Sequence, residues 1–126
     1  MTNYLLVAAG SALGGVIRYW LSNYVYNWLP AIFPFGTLTV NFLGSFIIGI
    51  LIFGFDDRGL ISAEVRLLLT VGFCGGFTTF STFSLETVNL LKNSEYSLAA
   101  LNIIASVALT LAATFLAYIL TSAREA

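Results

Sequence analysis

The chain has 126 residues, 59% of them hydrophobic and 9% charged, with a formal net charge of -1 and a mean hydropathy of +0.94. So few polar side chains cannot dress the surface of a soluble domain, which leaves a membrane protein. Five scattered basic residues give no stripe for nucleic acid.

Apolar windows long enough to cross a hydrocarbon layer, about 20 helical residues each, recur near Tyr4 to Trp28, Phe35 to Phe55, Val65 to Leu91 and Ser97 to Thr121. The opening MTNYLLVAAGSALGG has no Lys or Arg before its apolar run, so a signal peptide is not expected and span one is read as retained. Span one ends in RYWLSNYVYNWLP, where Tyr19, Trp20, Tyr24, Tyr26 and Trp28 read as an interfacial aromatic belt closed by Pro30. Span two stops at DDRG, residues 56 to 59, a solvated loop. Span three is long for one straight crossing, and Gly75 and Gly76 fall near its middle, so a broken helix is expected there. Lys92 to Glu95 make a short loop before span four. The expectation is an all-α membrane protein, one four-helix transmembrane domain over residues 1–126 with its third helix broken near mid-membrane.

No His is present, no acidic cluster has metal-ligand spacing, and no GxxxxGK[ST] loop appears, so the chain is not read as an enzyme or as an ATP-driven pump on its own. The single cysteine, Cys74, cannot close an intrachain disulfide and reads as a small packing residue. With four spans, Arg58, Arg66 and Arg124 share one side, against Lys92 on the other, joined by Arg18 if that side chain snorkels outward. That is hardly a bias, and a chain without one can insert both ways.

Polar groups inside a bilayer are costly unless paired or facing water, so their arrangement carries the functional information. On span four, Asn102, Ser106, Thr110, Thr114 and Tyr118 recur every fourth residue and form a slowly winding track. Such hydroxyls either glue helices together or line a path. Thr37, Asn41 and Ser45 repeat the spacing on span two. The Asn41 amide needs either a partner helix or a permeating species. On span three, Phe77, Phe80 and Phe83 are expected to share a face, beside a stripe of Thr78, Ser81, Thr82 and Glu86. Phenylalanine edges are positive and can greet an anion, or the rings can simply pack. GSALG (10 to 14) and GFCGG (72 to 76) read as close-packing motifs. Arg18 is either a belt residue or a vestibule cation. Four helices are too few to enclose a polar path and shield it from lipid, which points to an oligomer, and the weak charge bias permits an antiparallel pair.

GGVIRYW (Gly14 to Trp20), TLTVNFLGSFIIG in span two and GFCGGFTTFSTFSLE in span three together resemble the Fluc (CrcB) family of fluoride channels. The likeness covers the whole chain. It implies a fluoride-specific channel giving passive export across the bacterial inner membrane, built as an antiparallel, dual-topology homodimer with two pores and a structural sodium ion at the centre. It further implies an anion pathway of Asn41, Phe80, Ser81, Thr82, Phe83, Glu86, Ser106 and Thr110, and sodium ligation by the carbonyls of Gly75 and Thr78. In some members a larger hydrogen-bonding residue is expected where Asn102 stands. A small multidrug transporter, also tiny and able to insert both ways, is the alternative; that family depends on a membrane-embedded Glu in span one, and span one here has no acid.

Overall fold

A computed structural model of the protein describes residues 1–123; Arg124, counted in the charge balance, lies outside them. The chain forms α1 (Thr2–Tyr24), α2 (Phe35–Asp56), α3 (residues 63–77), α4 (Ser81–Lys92) and α5 (Tyr96–Ala123). Four stretches are long and apolar enough to span a membrane: Thr2–Asn27, Phe35–Asp56, Ala63–Lys92 and Tyr96–Ala123. No strand occurs among the described residues.

The helix ends have local causes. Tyr26 has a structural task as well: its phenol oxygen accepts the N–H of Gly36 at 3.1 Å, pairing a first-turn donor of α2 that has no intrahelical partner. Tyr19, Trp20 and Trp28 are exposed, as a belt requires. Gly59 turns the DDRG loop at φ +69°, where a side chain would be strained. The Ser62 hydroxyl accepts the N–H of Val65 at 3.1 Å and caps α3. The loop is stapled at both ends, because Arg66 reaches Asp56 at 3.5 Å and Arg58 donates to the Thr121 carbonyl near the C-terminus of α5, where a cation is favoured. The last turns of α2 (Ile50–Asp56) and the middle of α3 (Leu67–Cys74) are wound wide, in π geometry.

α1 and α3 meet backbone to backbone. A Cβ added to Gly10 or Gly14 would collide with the carbonyls of Leu68 or Phe73, and one on Gly76 would lie 2.5 Å from the Ser11 carbonyl oxygen. The two packing motifs of the sequence are thus the two halves of one contact, sealed by the Ser11 hydroxyl donating to the Gly72 carbonyl at 3.3 Å. α2 and α5 pack through small residues as well, with Gly49 against Ala117, which is fully buried. Large apolar side chains such as Ile104, Leu111 and Phe115 face outward.

This packing gives a paired prediction. Gly14→Ala should destabilise the protein by about 1–3 kcal/mol, since only backbone stands in the way and backbone cannot step aside. Gly15→Ala, one residue on with nothing within 4 Å of the new methyl, should stay within about 0.5 kcal/mol. Thermal unfolding in detergent distinguishes them; equal midpoints would contradict the backbone contact.

Candidate functional site

The site is organised by an interruption between α3 and α4. Helical backbone ends at Phe77, Thr78 is extended (φ -93°, ψ 161°), and helix resumes at Ser81. The bonds that would carry a helix through are diverted one by one. Thr79 N–H donates to Asn41 Oδ1 at 2.8 Å, where a continuous helix would send it to Gly75. Asn41 Nδ2 donates back to the Thr79 carbonyl at 2.9 Å, so one amide holds both polar groups of one peptide-chain residue. Thr82 N–H goes to Thr79 Oγ1 at 3.1 Å, where helix would send it to Thr78. Arg18 Nε donates to the Gly76 carbonyl at 3.0 Å, at the C-terminal end of α3.

Two expectations change here. The Gly75–Gly76 pair does not unwind; Gly75 is helical at φ -62°, ψ -39°, and the extended residue is Thr78, three positions on. Gly76 is needed for the approach of Ser11, while Gly75 is exposed with nothing nearer to an added Cβ than 3.9 Å. Nor do the three phenylalanines share a face. Phe77, before the interruption, is buried and stacks on Phe73 with centroids 5.7 Å apart. Phe80 and Phe83, beyond it, form a tilted pair at 5.3 Å, with Phe80 77% exposed in the single chain.

The interruption forms one wall of a cavity of about 340 Å³. α2 contributes Asn41, Gly44, Ser45 and Ile48; α3, the interruption and α4 contribute Thr70, Cys74, Gly75, Thr78, Thr79, Phe80 and Phe83; α5 contributes Ser106, Val107 and Thr110. Asn41, Gly75, Thr78, Phe80, Phe83, Ser106 and Thr110 are therefore brought together. Arg18, Ser81, Thr82 and Glu86 lie outside this lining. Arg18 turns its Nε to the Gly76 carbonyl and, outside this cavity, lines a second, open pocket together with Tyr19 and Trp20. Ser81 Oγ sits 3.4 Å from Thr79 Oγ1. Glu86 is half-buried on α4, hydrogen-bonded to Thr37, with Oε1 buried and unpartnered.

The track on α5 divides by depth. Asn102 and Ser106 are buried. Thr114 donates to the Ser45 carbonyl of α2 at 2.8 Å and acts as a clamp, and Tyr118 meets Phe53 edge-on at 5.2 Å. Sequence reasoning missed Thr79, whose backbone is the object of the Asn41 clamp and whose hydroxyl caps α4. The signal was present: a Thr three residues before Thr82, ahead of a helical run, is an N-cap pattern.

Four apolar spans, an interrupted helix and a cavity lined by amide, hydroxyl and aromatic groups define a small polytopic membrane protein of the channel or transporter class. Residues 5–118 match the family model described as CrcB-like protein, Camphor Resistance (CrcB), and the chain belongs to that family. It is 53% identical over 110 residues to a protein of Magnetococcus marinus named fluoride-specific ion channel FluC, covering 87% of this chain and 89% of that one. It is 50% identical over 115 residues to the Geobacter sulfurreducens protein of the same name (91% and 93% covered). A third, from Paramagnetospirillum magneticum, is 44% identical over 121 residues, with 94% of each covered.

Proposed function

We propose that this protein is a fluoride-specific channel that lets the anion leave the cell passively, and that it works as an antiparallel homodimer in the cytoplasmic membrane. The observation that carries the reading is the Asn41-clamped interruption opening onto a cavity of amide, hydroxyl and phenylalanine groups, in a chain whose relatives are named for this activity. Fluoride is small and strongly hydrated, so a pore must replace its water with several donors in a narrow, rigid space. The second Nδ2 hydrogen of Asn41 and the ring edges of Phe80 and Phe83 can meet an anion in this cavity, and the hydroxyls of Ser106 and Thr110 can join them by turning from their internal acceptors, Asn102 Oδ1 and the Ser106 carbonyl. Ser81, Thr82 and Glu86 extend the route along α4. An inside-negative membrane drives the anion outward with about 2.3 kcal/mol per unit charge for each 100 mV, so no coupling is needed.

The exposed Phe80 and the uncovered Gly75 support a second copy closing the open wall. A structural sodium ion fits the interruption, placed in this reading near mid-membrane. Thr79 and Thr82 direct their N–H groups elsewhere, so the carbonyls of Gly75 and Thr78 lose their ordinary helical donors. Arg18 takes the Gly76 carbonyl between them. Two hard oxygens per chain, two chains to a site, suit a compact cation, which would hold the interruption and the dimer together. The competing transporter reading gains nothing from the cavity, whose lining contains no acid.

Cells stripped of their own fluoride export test the function. Expression of this protein should restore growth in fluoride, and Phe83→Ile, which keeps bulk and removes the ring quadrupole, should restore it far less. Equal rescue by both would return Phe83 to packing; no rescue by the parent would count against the channel itself.

A further inference from the structure

Five threonine hydroxyls in these helices follow one habit. Thr70, Thr78, Thr87, Thr110 and Thr121 each donate to the carbonyl four residues back, at 2.6 to 2.9 Å. Ser106 departs from it. Its Oγ donates to the side chain four residues back, Asn102 Oδ1, at 3.3 Å, long for an O–H···O bond.

The direction of that bond is fixed by its neighbours. Thr87 spends its only hydrogen on the Phe83 carbonyl at 2.8 Å, so towards Asn102 it can only accept. Asn102 Nδ2 donates to it at 2.9 Å, which turns Oδ1 to Ser106. Asn102 is 2% exposed and outside the cavity lining, while Ser106 is on it. One buried amide therefore holds the hydroxyl hydrogen of a cavity residue, and holds it weakly.

We propose that Asn102 is a positioning and specificity-determining residue that keeps the Ser106 hydrogen on a weak internal acceptor, from which only a strongly accepting anion can draw it into the cavity. The inference rests on the proposed fluoride pathway and adds to it a reason for excluding chloride, a much weaker hydrogen-bond acceptor. Without the amide, Ser106 would bond the carbonyl of residue 102, as the threonines do, and release its hydrogen less readily. Thr110, committed at 2.6 Å, is the harder group to turn, which makes Ser106 the responsive one.

Fluoride and chloride efflux from vesicles carrying the full-length protein tests this, using Asn102→Leu, Ser106→Ala, the double variant and Thr87→Val. Asn102→Leu should lower fluoride efflux roughly tenfold, and adding Ser106→Ala should lower it no further, because the amide acts through that hydroxyl. Thr87→Val releases the amide to turn its N–H toward Ser106. The serine hydrogen then stays in the cavity, so fluoride efflux should hold within about threefold while chloride begins to pass. That variant also carries the test if Asn102→Leu fails to assemble. Additive losses in the double variant, unchanged efflux in Asn102→Leu, or a Thr87→Val protein that loses fluoride efflux with chloride still excluded would overturn the proposal. A parent protein that conducts no fluoride would instead remove the pathway on which it rests.

Discussion

Replacing Asn41 with leucine is expected to cut fluoride efflux on the order of a hundredfold while leaving the chain helical and in the membrane. The amide makes two bonds to Thr79, one to its carbonyl and one from its N–H. Leucine leaves both backbone groups unpaired, at about 1–3 kcal/mol each. The chain has a cheap escape: Thr79 N–H can return to the Gly75 carbonyl and close the helix across residues 78–80. That closure would swing Phe80 and Phe83 off the cavity and remove the carbonyls proposed for sodium. Asn41→Asp keeps the acceptor for Thr79 N–H and loses the donor to its carbonyl, so it should fall between parent and leucine variant. Initial efflux rates, with far-ultraviolet circular dichroism as a check on helix content, decide it; parental efflux in Asn41→Leu would show that the clamp does not matter to the path.

Adding two lysines to the DDRG loop should abolish function when the variant is expressed alone and restore it when an oppositely biased variant is coexpressed. The expectation rests on the small charge asymmetry of the chain. In the folded structure Arg18 is tied to the Gly76 carbonyl, and Lys92 is the other cation of its side. Orientation is settled during insertion, before that bond forms, so the count of Arg58, Arg66 and Arg124 against Lys92 and Arg18 still applies. Two added charges exceed that margin. A biased variant that conducts alone as well as its parent would exclude antiparallel subunits.

The four spans were legible because twenty-residue apolar runs have few other uses, and their ends lay within a few residues of the observed ones. The close contact of α1 and α3 was legible in GSALG and GFCGG, since small residues four apart have a direct geometric meaning. Other features depended on partners distant in sequence. Asn41 read equally as a helix clamp or as a ligand for a passing ion, and only the position of Thr79, 38 residues away, shows that it clamps. The Phe77, Phe80 and Phe83 spacing assumed one continuous helix, and it fails where the backbone is extended at Thr78. The glycine pair drew the expected break to itself because glycine is the commonest helix weakener. Here the break is instead made by side chains that offer the backbone better partners: Asn41 from α2, Arg18 from α1 and Thr79 from within. Tyr26, grouped with the belt by composition, serves the start of α2.

Without any other protein, this chain is expected to pass fluoride down its electrochemical gradient. Purified protein is reconstituted into vesicles loaded with potassium fluoride, diluted into fluoride-free medium, and external fluoride is followed with a selective electrode. Efflux should be small until a potassium ionophore removes the opposing voltage, then rapid, and the same vesicles loaded with chloride should release far less. Fluoride release no faster than from protein-free vesicles after ionophore addition would contradict the account.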